Sequence, residues 1–366
     1  MLGNVRGAFR SGYIINGRAD LVWFIALPFI ALGFALFCQS KMTVVALASV
    51  SLWITVPHHY ATWVRAFGIA EDRKRWLLRL VVGPIIIFTM GLTGLIWAPI
   101  TTLLLGIFWD HQHSIMQQHG FARIYDFKAK TGTPSTGKFD FYLNWILFGN
   151  LFLTSPFFTP IWLKTLYRLN FPLSVETVHT IHNISMSIVV VYSIIYVGHI
   201  VWSIANGYQL NPIKYLFIIA SYFLWYYSSW HTHSVLIYTI AHRIMHGIQY
   251  IVIAYVYTRR RSTGIENWAA WLVRPGHLFA FCMCGLFYAL CFQLITNQPM
   301  NDIGFGLFRI PEAFNYPLDH LGLGGASKET PYALFTLAVS QLAALTHYYF
   351  DSFIWKVRDS KTREGL

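Results

Sequence analysis

The sequence predicts an all-α fold: a polytopic helical bundle in a membrane, with about ten spans and both termini cytoplasmic. Three observations carry this. Apolar residues make up 55% of the 366-residue chain and charged residues only 11%, less than half the share of about 25% in soluble domains. The apolar residues gather in runs of roughly 20, the length a helix needs to cross the hydrocarbon layer. The net charge of +12 sits in short segments between those runs. That arrangement orients a membrane protein and argues against a nucleic-acid partner. Residues 1–366 read as a single membrane domain. The first 18 residues are polar and the first apolar run lacks a small-residue cleavage site, so no cleavable signal peptide is expected.

The runs fall at about 20–38, 43–65, 77–97, 100–123, 139–158, 182–204, 213–230, 234–257, 275–297 and 331–355. Arg6, Arg10 and Arg18 precede the first. Arg73, Lys74, Arg75 and Arg79 follow the second, and Arg123, Lys128, Lys130 and Lys138 follow the fourth. Arg259, Arg260 and Arg261 follow the eighth, and Lys356, Arg358, Lys361 and Arg363 follow the tenth. These five basic segments alternate with less basic ones, which places them inside. The seventh and eighth runs read as a hairpin turning around His231-Thr232-His233. The longest connection, 298–330, is acidic and rich in Gly, Pro and aromatics, and is expected to form a structured loop on the outer side. The expected location is the bacterial inner membrane. Cys38, Cys282, Cys284 and Cys291 lie in or beside apolar runs and read as small buried apolar residues.

Ionisable residues at membrane depth are expensive, about 2.5–3.5 kcal/mol for an acid at the centre of a helix, and mark functional sites. The second run carries Pro57-His58-His59. The fourth carries Trp109-Asp110-His111-Gln112-His113 and, two turns on, His119. The eighth carries His242-Arg243-Ile244-Met245-His246, and the tenth His347 and Asp351. All four runs are even-numbered and so cross from outside to inside, with these groups in the middle-to-cytoplasmic part of the membrane. His242 and His246, like His347 and Asp351, are four residues apart, about 40° around a helix, and can face one ion. His111 and His113 differ by about 200° and cannot easily do so. Asp110, His113 and Gln117 share one face; His111, Gln118 and, less closely, His119 share another.

The expected metal set is therefore His58, His59, His111, His113, His119, His242, His246, His347 and Asp351. Asp110 and Asp351 are expected to act in catalysis, as ligands or as orienting partners of histidine. Arg243 can balance a buried carboxylate. Imidazole with occasional carboxylate suits non-haem iron, one or two ions, with copper or zinc as alternatives. His199 and His277 read as interhelical hydrogen-bond partners. Tyr60, Trp63, Tyr125, Tyr250, Tyr348 and Tyr349 read as interfacial belt or packing.

The His242-x3-His246 box and the His58-His59 pair, set in a multi-span chain, resemble the membrane non-haem di-iron enzymes: fatty-acid desaturases, fatty-acid and sterol hydroxylases, and alkane hydroxylases. The chain has no H-x-x-H-H box, and its histidines fall inside the spans, where those families place them at the membrane surface. A set of His58, His113, His242 and His246 also resembles the bacterial membrane β-carotene-cleaving dioxygenases, which gather histidines from separate helices around one iron. Both resemblances imply a membrane oxygenase, hydroxylase or desaturase acting on a lipid, sterol or isoprenoid. No Gly-rich dinucleotide fingerprint is present, so a cytoplasmic electron donor is the expected partner. The competing classes are a haem-binding electron-transfer protein, a transporter using intramembrane His and Asp, and a structural subunit of a membrane complex.

Overall fold

The computed structural model describes residues 7–42, 44–232, 234–264, 266–296 and 331–366; the loop expected at 298–330 lies outside them. Among the described residues the regular structure is helical, with one isolated bridge between Phe9 and Leu210. The helices are α1 (Gly17–Lys41), α2 (Val44–Gly68), α3 (Ala70–Trp97), α4 (Pro99–Ala129), α5 (Thr136–Thr154), α6 (Thr159–Arg168) and α7 (Val175–Ala205). They continue with α8 (Pro212–His231), α9 (Val235–Arg261), α10 (Trp268–Leu272), α11 (Leu278–Thr296), α12 (Pro331–Ile354) and α13 (Ser360–Gly365).

Local sequence explains where several of these begin. Asn16, Ser174, Asn211, Asn267 and Asp359 sit in extended backbone just before α1, α7, α8, α10 and α13, and each accepts a hydrogen bond from a backbone N–H of the first turn. This satisfies donors that a helix start leaves open. Pro212 occupies the first turn of α8, where its missing N–H costs nothing. Pro99 forces Ala98 out of helical backbone, which separates α3 from α4 with one residue. In α1 the stretch Leu21–Ala26 winds as a π-helix.

Among the described residues three helices are long and apolar enough to cross a membrane: Gly17–Lys41, Ala70–Trp97 and Val175–Ala205. Helices α5 and α6 pass the same test only together and are bent by 67° at their junction. The runs expected at 100–123 and 234–257 are helical as well. Their mean hydropathy is brought down by Asp110, His111, Gln112 and His113 in α4, and by His242, Arg243, His246 and Gln249 in α9. The faces left bare are strongly apolar: Leu78, Ile85 and Met90 on α3, and Ile184, Val191 and Ile194 on α7 are exposed. Soluble monomers rarely leave such surfaces uncovered.

The chain divides into two compact units, Met1–Leu32 with Gln112–Tyr238, and Gly33–His111 with Thr239–Leu366. The first unit is tied together by buried polar contacts between α5 and its neighbours. Tyr196 of α7 donates to Asp140 (2.7 Å), Tyr222 of α8 to Asn144 (2.5 Å) and Tyr226 of α8 to Asn150 (3.0 Å). His199 of α7 lies 3.2 Å from the Thr136 hydroxyl and stacks on Phe139, the interhelical role expected of it. Lys214 of α8, fully buried, bridges Asp126 of α4 and Asp140 of α5.

The second unit packs α12 on α3 and α2, and α11 on α2. Close approach depends on small residues: a Cβ on Gly83 would stand 2.2 Å from the Tyr349 ring, and one on Gly68 2.5 Å from the Ala269 Cβ. Arg65 is fully buried, donates to Asp72 (2.6 Å) and to the Ile354 carbonyl (3.1 Å), and lies 4.0 Å from the centre of the Tyr257 ring. His277, expected as an interhelical partner, instead sits just ahead of α11 and pairs with the Trp271 carbonyl (2.7 Å).

Candidate metal centre

Three helices of the second unit each present a polar stripe at intervals of four. On α2 it is His58 and Thr62. On α9 it is His242, His246 and Tyr250. On α12 it is His347 and Asp351, with Trp355 one turn further, just past the helix end. Residues four apart lie on one face of a helix, so each stripe acts as a unit and their meeting point is polar inside an apolar bundle.

His58, His246 and His347 converge there. All three are buried, and one ring nitrogen from each lies within 4.8 Å of the others. Ring centres stand 5.0 Å apart for His58 and His246, 4.6 Å for His58 and His347, and 6.1 Å for His246 and His347. Nitrogens bound to one ion at about 2.0–2.1 Å lie no more than about 4.2 Å from one another, so small ring rotations bring this set to binding distance.

His59 completes the cluster. Its ring is 4.4 Å from that of His58 and 5.3 Å from that of His347. The side chain is buried, and neither ring nitrogen has a hydrogen-bond partner among the described residues. Leaving a buried polar group unsatisfied costs about 1–3 kcal/mol. An imidazole so placed fits a centre that supplies a bond the protein does not.

Beside the histidines runs a chain of hydrogen bonds. The Thr62 hydroxyl lies 2.6 Å from His347 Nδ1 and 3.0 Å from the Tyr250 hydroxyl. Tyr250 donates to Asp351 Oδ1 at 2.7 Å, and the Trp355 indole N–H donates to the Tyr250 oxygen at 3.3 Å. Tyr250 was expected in the belt or as packing, but it is fully buried at the cluster. Thr62 carries no ligand chemistry of its own and was not anticipated. Extending the His242/His246 and His58 stripes by one turn finds both.

A second polar group lies next along α9. The His242 ring is 5.8 Å from that of His246 and 5.6 Å from that of His111, whose Nδ1 faces the Ile107 carbonyl at 2.7 Å. Asp110 accepts from the Tyr348 hydroxyl at 2.5 Å and faces Arg243 at 3.8 Å, and Arg243 also donates to Thr55. Arg243 thus balances a carboxylate, as its place in the box suggested, and Tyr348 serves Asp110 and not the interface. Of the expected metal set, the second unit therefore gathers His58, His59, His111, His242, His246, His347 and Asp351. His113 and His119 belong to the first unit, where His113 is buried and the His119 ring lies 5.7 Å from that of Phe141. The four cysteines are free; Cys38 is buried, Cys282 and Cys284 are exposed, and none joins the histidine group.

No protein-family model, curated protein or solved structure matches this chain.

Proposed function

We propose that this chain is a multi-pass protein of a bacterial inner membrane, with about ten spans and both termini cytoplasmic, and that it is a non-haem iron oxidoreductase acting on a lipophilic substrate. The observation that carries the reading is the buried three-histidine group His58, His246 and His347, with the unsatisfied His59 imidazole against it. Three imidazoles converging from three helices suit one compact ion better than a haem. A haem needs axial ligands on opposite sides of an open slot, and here Thr62, Tyr250 and His59 crowd the ring edges.

Imidazole donors suit iron, copper and zinc alike. Iron is the choice because, when bound with open positions, it supplies the one-electron and oxygen chemistry that hydroxylation, desaturation or cleavage of an apolar carbon chain requires. The chain's own residues do the rest. The histidines hold the ion, and Arg243 and Tyr348 hold the Asp110 carboxyl in place. The apolar walls exclude water. A centre at this depth takes its substrate, a lipid or isoprenoid, from the bilayer. Reducing equivalents come from an electron donor at the cytoplasmic face carrying Arg259, Arg260 and Arg261.

The test is elemental analysis with visible and paramagnetic-resonance spectra of the protein purified from iron-replete cells. Iron near stoichiometric with the chain in wild type, and its loss in His58→Ala and His246→Ala, is the expected result. Protein free of iron, copper and zinc would sink the reading; a Soret band would replace it with a haem protein.

A further inference from the structure

We propose that Thr62, Tyr250 and Asp351 are positioning residues that set which nitrogen of His347 binds the metal. The inference rests on the metal reading above and adds to it the tautomer of one ligand and the groups that impose it.

His347 Nδ1 and Asp351 Oδ1 are 3.9 Å apart, too far for a hydrogen bond. The carboxylate therefore reaches the imidazole through two hydroxyls, Tyr250 and Thr62. Each hydroxyl has a single hydrogen to give. Nδ1 is pinned against Thr62 at 2.6 Å, which leaves Nε2 as the nitrogen that meets the metal. A cation on Nε2 needs the lone pair there, so Nδ1 carries the hydrogen and donates it to Thr62 Oγ1. Thr62 then gives its own hydrogen to the Tyr250 oxygen, and Tyr250 gives its hydrogen to Asp351 Oδ1. Trp355 N–H, a donor only, fills the remaining acceptor site on Tyr250. The Thr62 hydrogen has a longer alternative in the His58 carbonyl at 3.4 Å, and the shorter contact to Tyr250 completes a chain that ends on the Asp351 carboxyl.

The arrangement does the work of a carboxylate–histidine–metal triad with two side chains inserted. It also accounts for features that packing does not require. Thr62 is fully buried on the helix face that carries His58, and Tyr250 places its hydroxyl within reach of three partners.

The test loads cobalt(II) into the full-length protein in detergent and reads two quantities: affinity, by competition with a chelator, and the visible ligand-field spectrum. Wild type, His58→Ala, Thr62→Val, Thr62→Ser and Tyr250→Phe are compared. Thr62→Val keeps the shape of the side chain but leaves His347 Nδ1–H without an acceptor. It is expected to weaken cobalt binding by about 10–100-fold and to shift the spectrum, and Thr62→Ser is expected to restore both. Tyr250→Phe keeps the ring and cuts the link to Asp351, and should move both readouts in the same direction. Should Thr62→Val fail to fold, Tyr250→Phe and Thr62→Ser decide the matter. Wild-type affinity and spectrum in Tyr250→Phe would overturn the inference, as would failure of Thr62→Ser to restore what Thr62→Val loses. If wild type binds no cobalt, or His58→Ala binds it as tightly, the metal reading itself falls; if His58→Ala loses the metal while the hydroxyl variants change nothing, only this inference falls.

Discussion

Replacing Lys214 with methionine takes a buried cation from between two buried carboxylates. Its Nζ lies 3.0 Å from Asp126 Oδ2 and 3.1 Å from Asp140 Oδ2. The other cation of the group, Arg123, is 2.7 Å from Asp126 and 3.5 Å from Asp140, with 33% of its side chain exposed. Two cations and two carboxylates balance; the variant leaves a net negative charge away from water. Removing one partner of a buried ion pair costs about 3–5 kcal/mol, because the survivor keeps its desolvation cost without the attraction that offset it. Arg123 compensates in part, which points to the low end, about 3 kcal/mol. For a unit of this size each kcal/mol moves the melting midpoint by about 2–4 °C, so a fall of roughly 6–12 °C is expected. The assay is thermal unfolding of the detergent-solubilised protein, followed by far-ultraviolet circular dichroism. A second variant, Lys214→Met with Asp140→Asn, removes the stranded charge, while the new amide oxygen can still accept from Tyr196. It should recover at least half of the loss. A single variant that melts within about 2 °C of wild type, or a double variant no more stable than the single, would refute the reasoning.

Gly83→Ala is expected to destabilise the packing of α12 on α3 by about 1–3 kcal/mol, since the new methyl would meet the Tyr349 ring; the same thermal assay checks it, and Tyr349→Ala in the same chain should relieve the loss. Arg65→Lys should cost about 1.5–3 kcal/mol, because an ammonium cannot serve Asp72 and the Ile354 carbonyl while lying flat on Tyr257; unchanged melting would show that the fork is dispensable. At the start of α13, the Arg75 guanidinium, helped by the backbone N–H groups of Lys361 and Thr362, holds the Asp359 carboxyl below its ordinary 3.8. A depressed carboxylate contributes stability above its unfolded value and loses it as pH falls through the lower folded value, so hydrogen exchange in 359–365, corrected for intrinsic rates, should rise only below pH 3.8. Asp359→Asn should exchange fast already at neutral pH, and equal protection in the two proteins would count against the tether.

The helices were legible because apolar runs and helix length are coupled by the thickness of the bilayer, but their ends were not. The run read at 77–97 belongs to Ala70–Trp97, and the run at 182–204 to Val175–Ala205. In both cases polar residues carry the helix past the apolar stretch: Glu71 and Asp72 in the first turn of α3, Glu176 behind the Ser174 cap in α7. A side-chain cap marks the start of α7, at Ser174, but not that of α3, which begins after Ile69. Charges were harder still. Arg123 reads from the sequence as a loop charge that orients the chain, yet it pairs with the buried carboxylates of Asp126 and Asp140 beside Lys214. Loop charge totals record where cations fall along the chain, and pairing between helices is invisible to them. At the histidines, intervals of four were enough to single out His246 and His347, and depth added His58. Thr62 does not stand out and Tyr250 reads from the sequence as belt or packing, because neither is a usual metal donor. Donor atoms determine whether an ion can bind. Which nitrogen of His347 binds it depends on where each hydrogen of Thr62 and Tyr250 goes. That accounting requires the partners on all three helices at once, so no single stripe of α2, α9 or α12 contains it.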